Sequence, residues 1–357
     1  MQNNLKGKTV VVGMSGGVDS SVCALLLKQQ GAKVIGLHMQ SENSVTAEED
    51  KNRVVSICEK LGITYEIVNY KEEMQVVKDY FVETYKNGKT PNPCVICNRE
   101  VKFKPFIEYA QKLAADYFAT GHYAQIEHTA NGHFLKSAVD TKKDQAYFLC
   151  QLSQAQLEKA LFPLGGISKD EVKKIAEENN FSFEGVKESQ DICFLGSEKF
   201  KEFMNKNYPE KQGDLVDIKS GKVVGKHNGI SKYTLGQRKG LGIGGGYGST
   251  GESWAVVKKD ILKNKVYVCQ GNDNVLYTDT ITVTNFNWIP NKNKETFDCF
   301  ARFRHGQKLQ EVSVSAGGDE VVIKFKEKQR AISPGQYAVL YNEQGYCLGG
   351  GEIKETY

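Results

Sequence analysis

Three of the nine cysteines lie in polar surroundings that could support thiol chemistry. Cys94 and Cys97 form a C-x-x-C pair within the segment Lys89–Phe103. Cys193 has polar residues before it and apolar residues after it, in the segment Lys187–Gly196. A thiolate, rather than a thiol, acts as a nucleophile or a metal ligand. These three cysteines are therefore the candidate reactive residues.

The C-x-x-C pair is expected close to the start of a helix. Pro91 and Pro93 favour an extended approach, and a helix is predicted to begin near Asn98. The helix N-terminus, together with Arg99 and Lys102, would lower the pKa of a nearby thiol. A structural zinc site would need a second pair with the right spacing, which the sequence does not contain. A purely structural pair of cysteines is the alternative.

A second candidate site lies near the start of the chain, where a strand turns on glycine and becomes a helix. Val10–Val12 has the β-branched content of a buried parallel strand, and Val22–Leu27 has the apolar density of a helix packed on it. Between them, the glycines of Ser15–Gly17 allow main-chain N–H groups to approach a ligand, and the helix directs its positive end to the same point. Asp19 and Ser20 could cap this helix or help to hold Mg²⁺ beside phosphates. An anionic ligand is predicted.

This loop differs from two common nucleotide-binding motifs. No Gly-Lys-Ser/Thr follows, so the loop has no lysine for β- and γ-phosphates, and no G-x-G-x-x-G is present. An ordinary glycine-rich turn is the alternative. The order of strand, Ser-Gly-Gly, Asp-Ser-Ser and helix resembles the PP-loop of ATP pyrophosphatases. That resemblance implies an enzyme that joins AMP to a substrate oxygen and releases pyrophosphate.

Strands and helices alternate through the first half of the chain, which predicts a doubly wound parallel sheet. At the carboxyl edge of this sheet, Met39 is placed to contact an adenine, Gly121 permits close approach, and His122 either binds a ligand or caps its strand. A hairpin is predicted over Gln125–Ala138, and Ser168 with Glu171 forms a capping box. The predicted elements are strands at Lys33–Met39, Thr64–Tyr70 and Tyr117–Tyr123, and helices at Glu48–Leu61, Glu72–Lys86 and Glu198–Asn207.

From Asp214 onward, short alternating strands replace the long helices. The predicted fold class is therefore α/β, with a PP-loop, Rossmann-like domain over residues 1–209. Two small β-rich domains follow, one over residues 210–274 and a barrel-like one over residues 275–357.

Composition and charge narrow the class of protein. The 357 residues are 40% hydrophobic and 25% charged, with a mild net charge of +4. No apolar run of about 18 residues and no signal peptide is apparent, so a cytoplasmic location without a membrane partner is expected. An odd number of cysteines argues against a disulfide framework. Six are predicted to be packing residues: Cys23, Cys58, Cys150, Cys269, Cys299 and Cys347.

Eight motifs together resemble the tRNA-specific 2-thiouridylases, the MnmA family, over essentially the whole chain. They are SGGVDSS, TPNPCVICNREVKF, ATGHYA, KKDQAYFL, SQDICFLG, YTLGQRKGLGIG, SPGQ and CLGGGEI. The resemblance implies an enzyme that uses ATP and Mg²⁺ to adenylate the C2 oxygen of the wobble uridine of tRNA and then replaces it with sulfur. The sulfur would come as a persulfide from a cysteine desulfurase or a sulfur-relay protein. We expect a monomer.

The resemblance also implies a role for individual residues. Cys193 would carry the persulfide, and Cys97 would attack it, leaving a disulfide between the two. ATP would be bound by Gly13, Met14, Ser15, Gly16, Gly17, Val18, Asp19, Ser20, Met39 and Gly121. Asn92, Pro93 and Cys94 would surround the flipped uridine. Further tRNA contacts would come from His122, Lys143, Asp144, Gln145, Arg302, Phe303 and Gln336.

One departure from the family pattern leaves a second mechanism open. Most members of the family have aspartate where this chain has Cys94, and a thiol has a higher pKa and forms weaker hydrogen bonds than a carboxylate. Cys94, Cys97 and Cys193 could instead ligate a [4Fe–4S] cluster with one open iron. Two further hypotheses are a PP-loop ligase that adenylates a small molecule and a non-catalytic tRNA-binding or sulfur-carrier protein. The first leaves the thiol motifs unexplained, and Asp19, Cys97 and Cys193 argue against the second.

Overall fold

The first part of the chain alternates strands with helices. The computed structural model describes residues 5–40, 47–181, 183, 197–208, 211–244, 251–291 and 295–357. The first elements are β1 Thr9–Gly13, α1 Val18–Gln29, β2 Lys33–Gln40, α2 Ala47–Leu61, β3 Thr64–Asn69, α3 Lys71–Lys86, α4 Pro93–Ile96, a π-helix Cys97–Phe103, α5 Lys104–Lys112, β4 Tyr117–Ala119, β5 Ala124–Thr129, β6 Gly132–Ser137, α6 Gln154–Lys159, β7 Ala160–Leu161, α7 Lys169–Glu178 and α8 Ser197–Asn207.

Five of these strands form a parallel sheet in the order β3-β2-β1-β4-β7. Val10, Val11 and Val12 of the central strand are fully buried. Val11 packs into one hydrophobic cluster, whereas Val10 and Val12 pack into another. Burial on both faces explains why the strand is a continuous run of valines. The predicted doubly wound parallel sheet is confirmed.

The chain leaves β1 toward β2 on one side, and β4 lies on the other side. The strand order therefore reverses between β1 and β4, and a crevice forms at the carboxyl ends of these two strands. Open α/β sheets bind ligands at such a switch point. The loop after β1 and the segment Thr120–Tyr123 after β4 both border this crevice.

Two element boundaries differ from the sequence prediction by about four or five residues, and several others differ by one or two. The helix expected to begin near Asn98 begins at Pro93, because proline is well suited to the first helical position. The strand predicted over Tyr117–Tyr123 ends at Ala119. The N–H of Tyr123 donates to Oε1 of Gln145, at 2.9 Å, so a side chain satisfies this donor.

The remaining strands form a small sheet and a closed barrel. They are β8 Gly213–Asp217, β9 Val223–His227, β10 Trp254–Asp260, β11 Lys265–Gln270, β12 Tyr277–Trp288, β13 Thr296–Arg302, β14 Gln310–Gly317, β15 Glu320–Arg330, β16 Tyr337–Tyr341 and β17 Tyr346–Thr356. The small sheet has the order β10-β11-β8-β9. Six strands in the order β12-β15-β14-β13-β16-β17 close into a barrel through pairing of β17 with β12. The β-rich character and the barrel are confirmed.

The hairpin β5–β6 extends the sheet of the barrel. The hairpin itself was predicted, but β6 also pairs with β17, with Leu135 opposite Cys347 and Lys136 opposite Tyr346. A hairpin from the part of the chain that forms the parallel sheet thus pairs with the barrel. In the described part of the chain, no helix combines the length and apolar character needed to cross a membrane.

A buried ion pair also joins the first domain to the barrel. Asp144 is 2% exposed, and its Oδ1 accepts the N–H groups of Ala138 and Ala146. Its Oδ2 accepts a hydrogen bond of 2.8 Å from Nη1 of Arg302, whose guanidinium also lies over the ring of Tyr341. Removing one partner of such a pair leaves an uncompensated buried charge.

We predict that Arg302→Met destabilises the protein by about 3 kcal/mol or more, because Asp144 loses its counter-ion. Urea unfolding followed by far-ultraviolet circular dichroism measures this change. The matched control is Lys326→Met, since Lys326 pairs with Asp298 on the surface, where both side chains are more than half exposed. The control is expected to cost less than about 1 kcal/mol. Equal stability of the two variants would contradict the prediction.

Candidate active site

The loop after β1 is closed by its own serine hydroxyls. The N–H of Ser15 donates to Oγ of Ser20, at 3.2 Å, and Oγ of Ser20 donates to the carbonyl of Gly17, at 3.1 Å. Gly16 has a φ of +81°, and a Cβ there would lie 2.9 Å from the carbonyl oxygen of Asp50. Glycine is therefore required at this position. These contacts fix the shape of the loop.

Asp19, in the first turn of α1, is the centre of a polar cluster at the switch point. Its Oδ1 accepts a hydrogen bond of 2.8 Å from the hydroxyl of Tyr123. The ammonium of Lys169 donates to both carboxylate oxygens, at 2.7 and 2.8 Å. The Lys169 side chain is only 7% exposed, whereas that of Asp19 is 34% exposed. A buried cation is thus held beside a carboxylate that faces the crevice.

Sequence reasoning missed Lys169. The capping box that begins its helix was recognised and is confirmed, with Ser168 and Glu171 bonding each other's main-chain N–H. That local signal shows where α7 begins, but it does not show which anion lies opposite its first residue. Asp19 is 150 residues away in sequence, so the pairing depends on the fold.

Gly121 packs against the loop. A Cβ on this residue would lie 3.0–3.1 Å from backbone and Cβ atoms of Asp19 and Ser20. The glycine therefore lets the segment after β4 approach the start of α1.

The other residues assigned to ATP lie on or beside the same loop and on β2. Met14 is buried, Val18 and Met39 are partly buried, Gly13 ends β1 and Gly17 is at the N-cap position of α1. Met39 lies one residue before the end of β2.

The C-x-x-C pair spans the junction of α4 and the π-helix. Cys94 is the second residue of α4 and is partly exposed, and Cys97 is the first residue of the π-helix and is 5% exposed. The next residue, Asn98, is 3% exposed and donates from Nδ2 to the carbonyl of Phe148. Short π-helical segments are rare and are frequently found at functional sites.

Arg99 pairs with two neighbouring polar side chains. Its Nε donates to Oε1 of Glu100 at 2.7 Å, and its Nη1 donates to Oε1 of Gln151 at 2.7 Å. Burial raises the pKa of Cys150 well above its usual value, and the charge of Arg99 acts in the opposite direction. That Arg99 helps to lower the pKa of Cys94 or Cys97 stays a prediction.

A turn of the barrel holds the chain just before the C-x-x-C pair. Nε2 of Gln336 donates to the carbonyls of Thr90 and Pro91, at 3.1 and 2.9 Å. The N–H of Thr90 donates in return to the carbonyl of Pro334, at 2.9 Å. The N–H of Asn92 donates to the hydroxyl of Tyr80, at 3.2 Å. Gln336, assigned to tRNA from the sequence, thus contacts the thiol-bearing segment.

The residues expected around the flipped uridine lie close to this turn. Asn92 is 7% exposed and caps α4, and Pro93 is the buried first residue of that helix. Cys94 follows Pro93 and is more exposed than either. Of these three side chains, the thiol is therefore the most accessible to a ligand.

His122 is a buried and neutral imidazole. Its Nδ1 lies 2.7 Å from Oγ1 of Thr120, and its ring packs between Phe103 and Phe162, with centroids 5.8 and 5.9 Å away. Burial, together with the charge of Lys102, holds the pKa of His122 well below its usual value. The imidazole is therefore uncharged at neutral pH.

The other residues assigned to tRNA lie mostly inside the protein. Asp144 and Arg302 form the buried pair described above, and Oε1 of Gln145 accepts the N–H of Tyr123. Phe303 is 1% exposed and packs against Phe325 in the barrel. Its ring is thus not at the surface to stack on a base. Lys143 is partly exposed.

Cys193 and the rest of Lys187–Gly196 lie outside the described residues.

Comparison with known proteins identifies the family. The profile described as "tRNA methyl transferase HUP domain" matches residues 8–197. A tRNA-specific 2-thiouridylase MnmA from Oceanobacillus iheyensis is 48% identical over 99% of this chain and 96% of its own length. The enzyme of that name from Enterococcus faecalis is 47% identical over all of this chain and 98% of its own length. The chain belongs to the tRNA-specific 2-thiouridylase family.

Two further profiles match the β-rich part of this 2-thiouridylase family member. A "tRNA methyl transferase PRC-barrel domain" covers residues 201–270, and an "Aminomethyltransferase beta-barrel domain" covers residues 278–353. The solved U34-tRNA thiolase NcsA from Methanococcus maripaludis, with its [4Fe-4S] cluster, is 20% identical and covers 58% of this chain and 70% of its own, with a TM-score of 0.37. A likeness of that size carries no argument about mechanism.

The six cysteines predicted to be packing residues are all buried. Burial raises the pKa of the thiol of Cys58 to about 11 and those of Cys299 and Cys347 to about 12. Cys97 is buried as well, so burial alone does not separate reactive from packing cysteines. The eight described cysteines are all outside disulfides.

We predict that iodoacetamide at pH 8 alkylates Cys94 much faster than Cys58, Cys299 or Cys347 in the folded protein. With a raised pKa of about 11, roughly one Cys58 in a thousand is a thiolate at this pH. Peptide mass spectrometry after timed quenching measures each site, and urea-unfolded protein, in which all thiols are exposed, is the control. Labelling of the three packing cysteines as fast as Cys94 would contradict the prediction.

Proposed function

We propose that this protein uses ATP to convert the wobble uridine of tRNA to 2-thiouridine. The observation that carries the proposal is a loop closed by its own serine hydroxyls at the switch point of a parallel sheet, with the C-x-x-C helix packed on the same sheet. Cys97 shares a hydrophobic cluster with Val11 of β1. The loop suits activation by ATP, the thiols suit sulfur transfer, and the chain belongs to a family named for this product.

The first step is adenylation of the uridine. The C2 oxygen attacks the α-phosphorus of ATP, a new O–P bond forms, and the bond to pyrophosphate breaks. Gly13–Ser20 would bind the phosphates through main-chain N–H groups and the start of α1. Asp19 would hold Mg²⁺, whose charge favours departure of pyrophosphate. Met39 would contact the adenine, and Gly121 would complete the site by its close packing on Asp19.

The second step replaces the activated oxygen with sulfur. Cys193 would carry a persulfide, and its terminal sulfur would become bonded to C2 while AMP leaves with the former C2 oxygen. Cys97, as a thiolate, would attack the inner sulfur of Cys193, which breaks the S–S bond of the persulfide and leaves a disulfide. An external dithiol reductant would restore both cysteines for the next cycle.

The tRNA would extend over the crevice and the barrel. Asn92, Pro93 and Cys94 would surround the flipped uridine, because a base within a stack cannot be reached. The other proposed tRNA contacts are His122, Lys143, Asp144, Gln145, Arg302, Phe303 and Gln336. Since several of these residues form hydrogen bonds inside the protein, we propose that some act by fixing the shape of the tRNA-binding surface.

The enzyme would work in the cytoplasm as a monomer. Its sulfur would come from a cysteine desulfurase or a relay protein.

An iron–sulfur mechanism is the second candidate, because Cys94 adds a third thiol to Cys97 and Cys193. Among the described residues no group of three or more histidine, cysteine, aspartate or glutamate side chains is placed to hold a metal. Cys193 lies outside those residues. Methyl transfer, named in two of the matching family profiles, does not require a pyrophosphate-binding loop and leaves the C-x-x-C pair unused.

We predict that Cys193→Ser abolishes thiolation but retains tRNA-dependent adenylation, measured as release of pyrophosphate in a single turnover, because AMP stays on the uridine when no sulfur replaces it. The phosphate loop and the uridine pocket do not include this thiol. Thiolated tRNA is measured by mercury-affinity gel electrophoresis, and pyrophosphate by a coupled assay. Cys299→Ser, the same substitution in the barrel, is the control and should retain both activities. Sulfur transfer by Cys193→Ser would overturn the assignment.

Iron content and persulfide trapping separate the two mechanisms. We expect protein purified without oxygen to contain no stoichiometric iron or acid-labile sulfide, and to thiolate tRNA with a desulfurase as the donor. Mass spectrometry after blocking of thiols should find an added sulfur on Cys193. Iron in stoichiometric amount, with activity that disappears on its removal, would favour a cluster held by Cys94, Cys97 and Cys193.

A further inference from the structure

Lys169 is a buried lysine at the crevice to which neither the motifs nor the comparisons assign a role. It is the first residue of α7, and this helix follows β7 of the parallel sheet. The carboxyl ends of parallel strands lie at one edge of the sheet, so β1, β4 and β7 bring α1, Tyr123 and Lys169 to the same place. The contacts of Lys169 and Tyr123 with Asp19 show that they meet there.

We propose that Lys169 is the cation that binds the phosphate chain of ATP in this protein. The loop after β1 has no lysine of its own, whereas P-loop proteins use one for the β- and γ-phosphates. Here the lysine comes from a helix 150 residues later. The inference rests on the proposed use of ATP and adds a ligand to that site.

The backbone of Lys169 is held firmly. Its N–H donates to Oδ2 of Asp140, at 3.0 Å, and the capping box of Ser168 and Glu171 fixes the helix start. Oδ1 of Asp140 accepts the N–H of Lys142, at 3.1 Å, so this carboxylate also holds the preceding loop. Only the side chain of Lys169 is left to move, and it has four rotatable carbons between the backbone and the ammonium.

The buried charge of Lys169 is the reason to expect that it binds phosphate as well as Asp19. A buried ammonium requires an anion, because an uncompensated buried charge is strongly destabilising. In the structure Asp19 is that anion. If Asp19 held Mg²⁺, phosphate oxygens bound beside Lys169 would supply the negative charge that its ammonium needs.

Binding measurements on the full-length protein test this role without tRNA. We expect Lys169→Gln to weaken binding of the non-hydrolysable ATP analogue AMP-PNP and of pyrophosphate at least tenfold in the presence of Mg²⁺. Binding of AMP, which lacks the β- and γ-phosphates, should change less than threefold. Isothermal titration calorimetry measures all three. Lys174→Gln removes the same charge from an exposed site on the same helix and should bind like the wild type.

A lysine that only joins α7 to α1 would give a different result. Lys169→Gln would then be less stable but, once folded, would bind AMP-PNP and pyrophosphate like the wild type, and that result would overturn the proposal. Failure of the wild type to bind either compound would instead refute the proposed use of ATP.

A double variant keeps the test decisive if Lys169→Gln does not fold. Asp19→Asn combined with Lys169→Gln leaves no unpaired charge and is compared with Asp19→Asn alone. Pyrophosphate is titrated without metal. The loss of Asp19 as a metal ligand then has no effect on the measured affinity. We expect a further loss of at least tenfold in the double variant. No difference between the two variants, including no detectable binding by either, would overturn the proposal.

Discussion

Parallel pairing of β1 with β2 on one side and β4 on the other is the constraint on which the candidate site depends. It places the carboxyl ends of the strands at one edge and opens a crevice where their order reverses. The serine-closed loop, the start of α1 and the segment after β4 meet there because the sheet brings them together. Gly121 makes this meeting close, since any side chain would press on Asp19 and Ser20. The sheet thus fixes the shape of the candidate site.

The barrel contributes to the same site by hydrogen bonds. Gln336 and Pro334 bond the backbone of Thr90, a few residues before Cys94. The hairpin β5–β6 continues the barrel sheet through β17, and Asp144 with Arg302 forms a buried ion pair across the junction. The hydrogen bonds of Gln336 hold the extended chain that leads into α4, and so they help to fix where the C-x-x-C pair lies.

Buried charge distinguishes the crevice from its surroundings. The ammonium of Lys169 and the carboxylate of Asp19 lie in contact where their helices begin, whereas His122 is neutral because it is enclosed by phenylalanine rings. The guanidinium of Arg99 is paired with the carboxylate of Glu100. Lys169 and Arg99 thus each have an opposite charge in direct contact.

The sequence by itself determined the local elements and the chemical class. The valine run of β1, the turn at Gly16, the hairpin at Asn131-Gly132 and the capping box at Ser168 are signals contained within a few residues, and each one is present in the structure. The motifs also indicated the family correctly. Only the tertiary structure decided that Lys169 lies on Asp19 and that Gln336 holds the backbone before Cys94. These partners are 150 residues or more apart, and one sequence does not specify which polar groups the packing of sheets and helices will bring together.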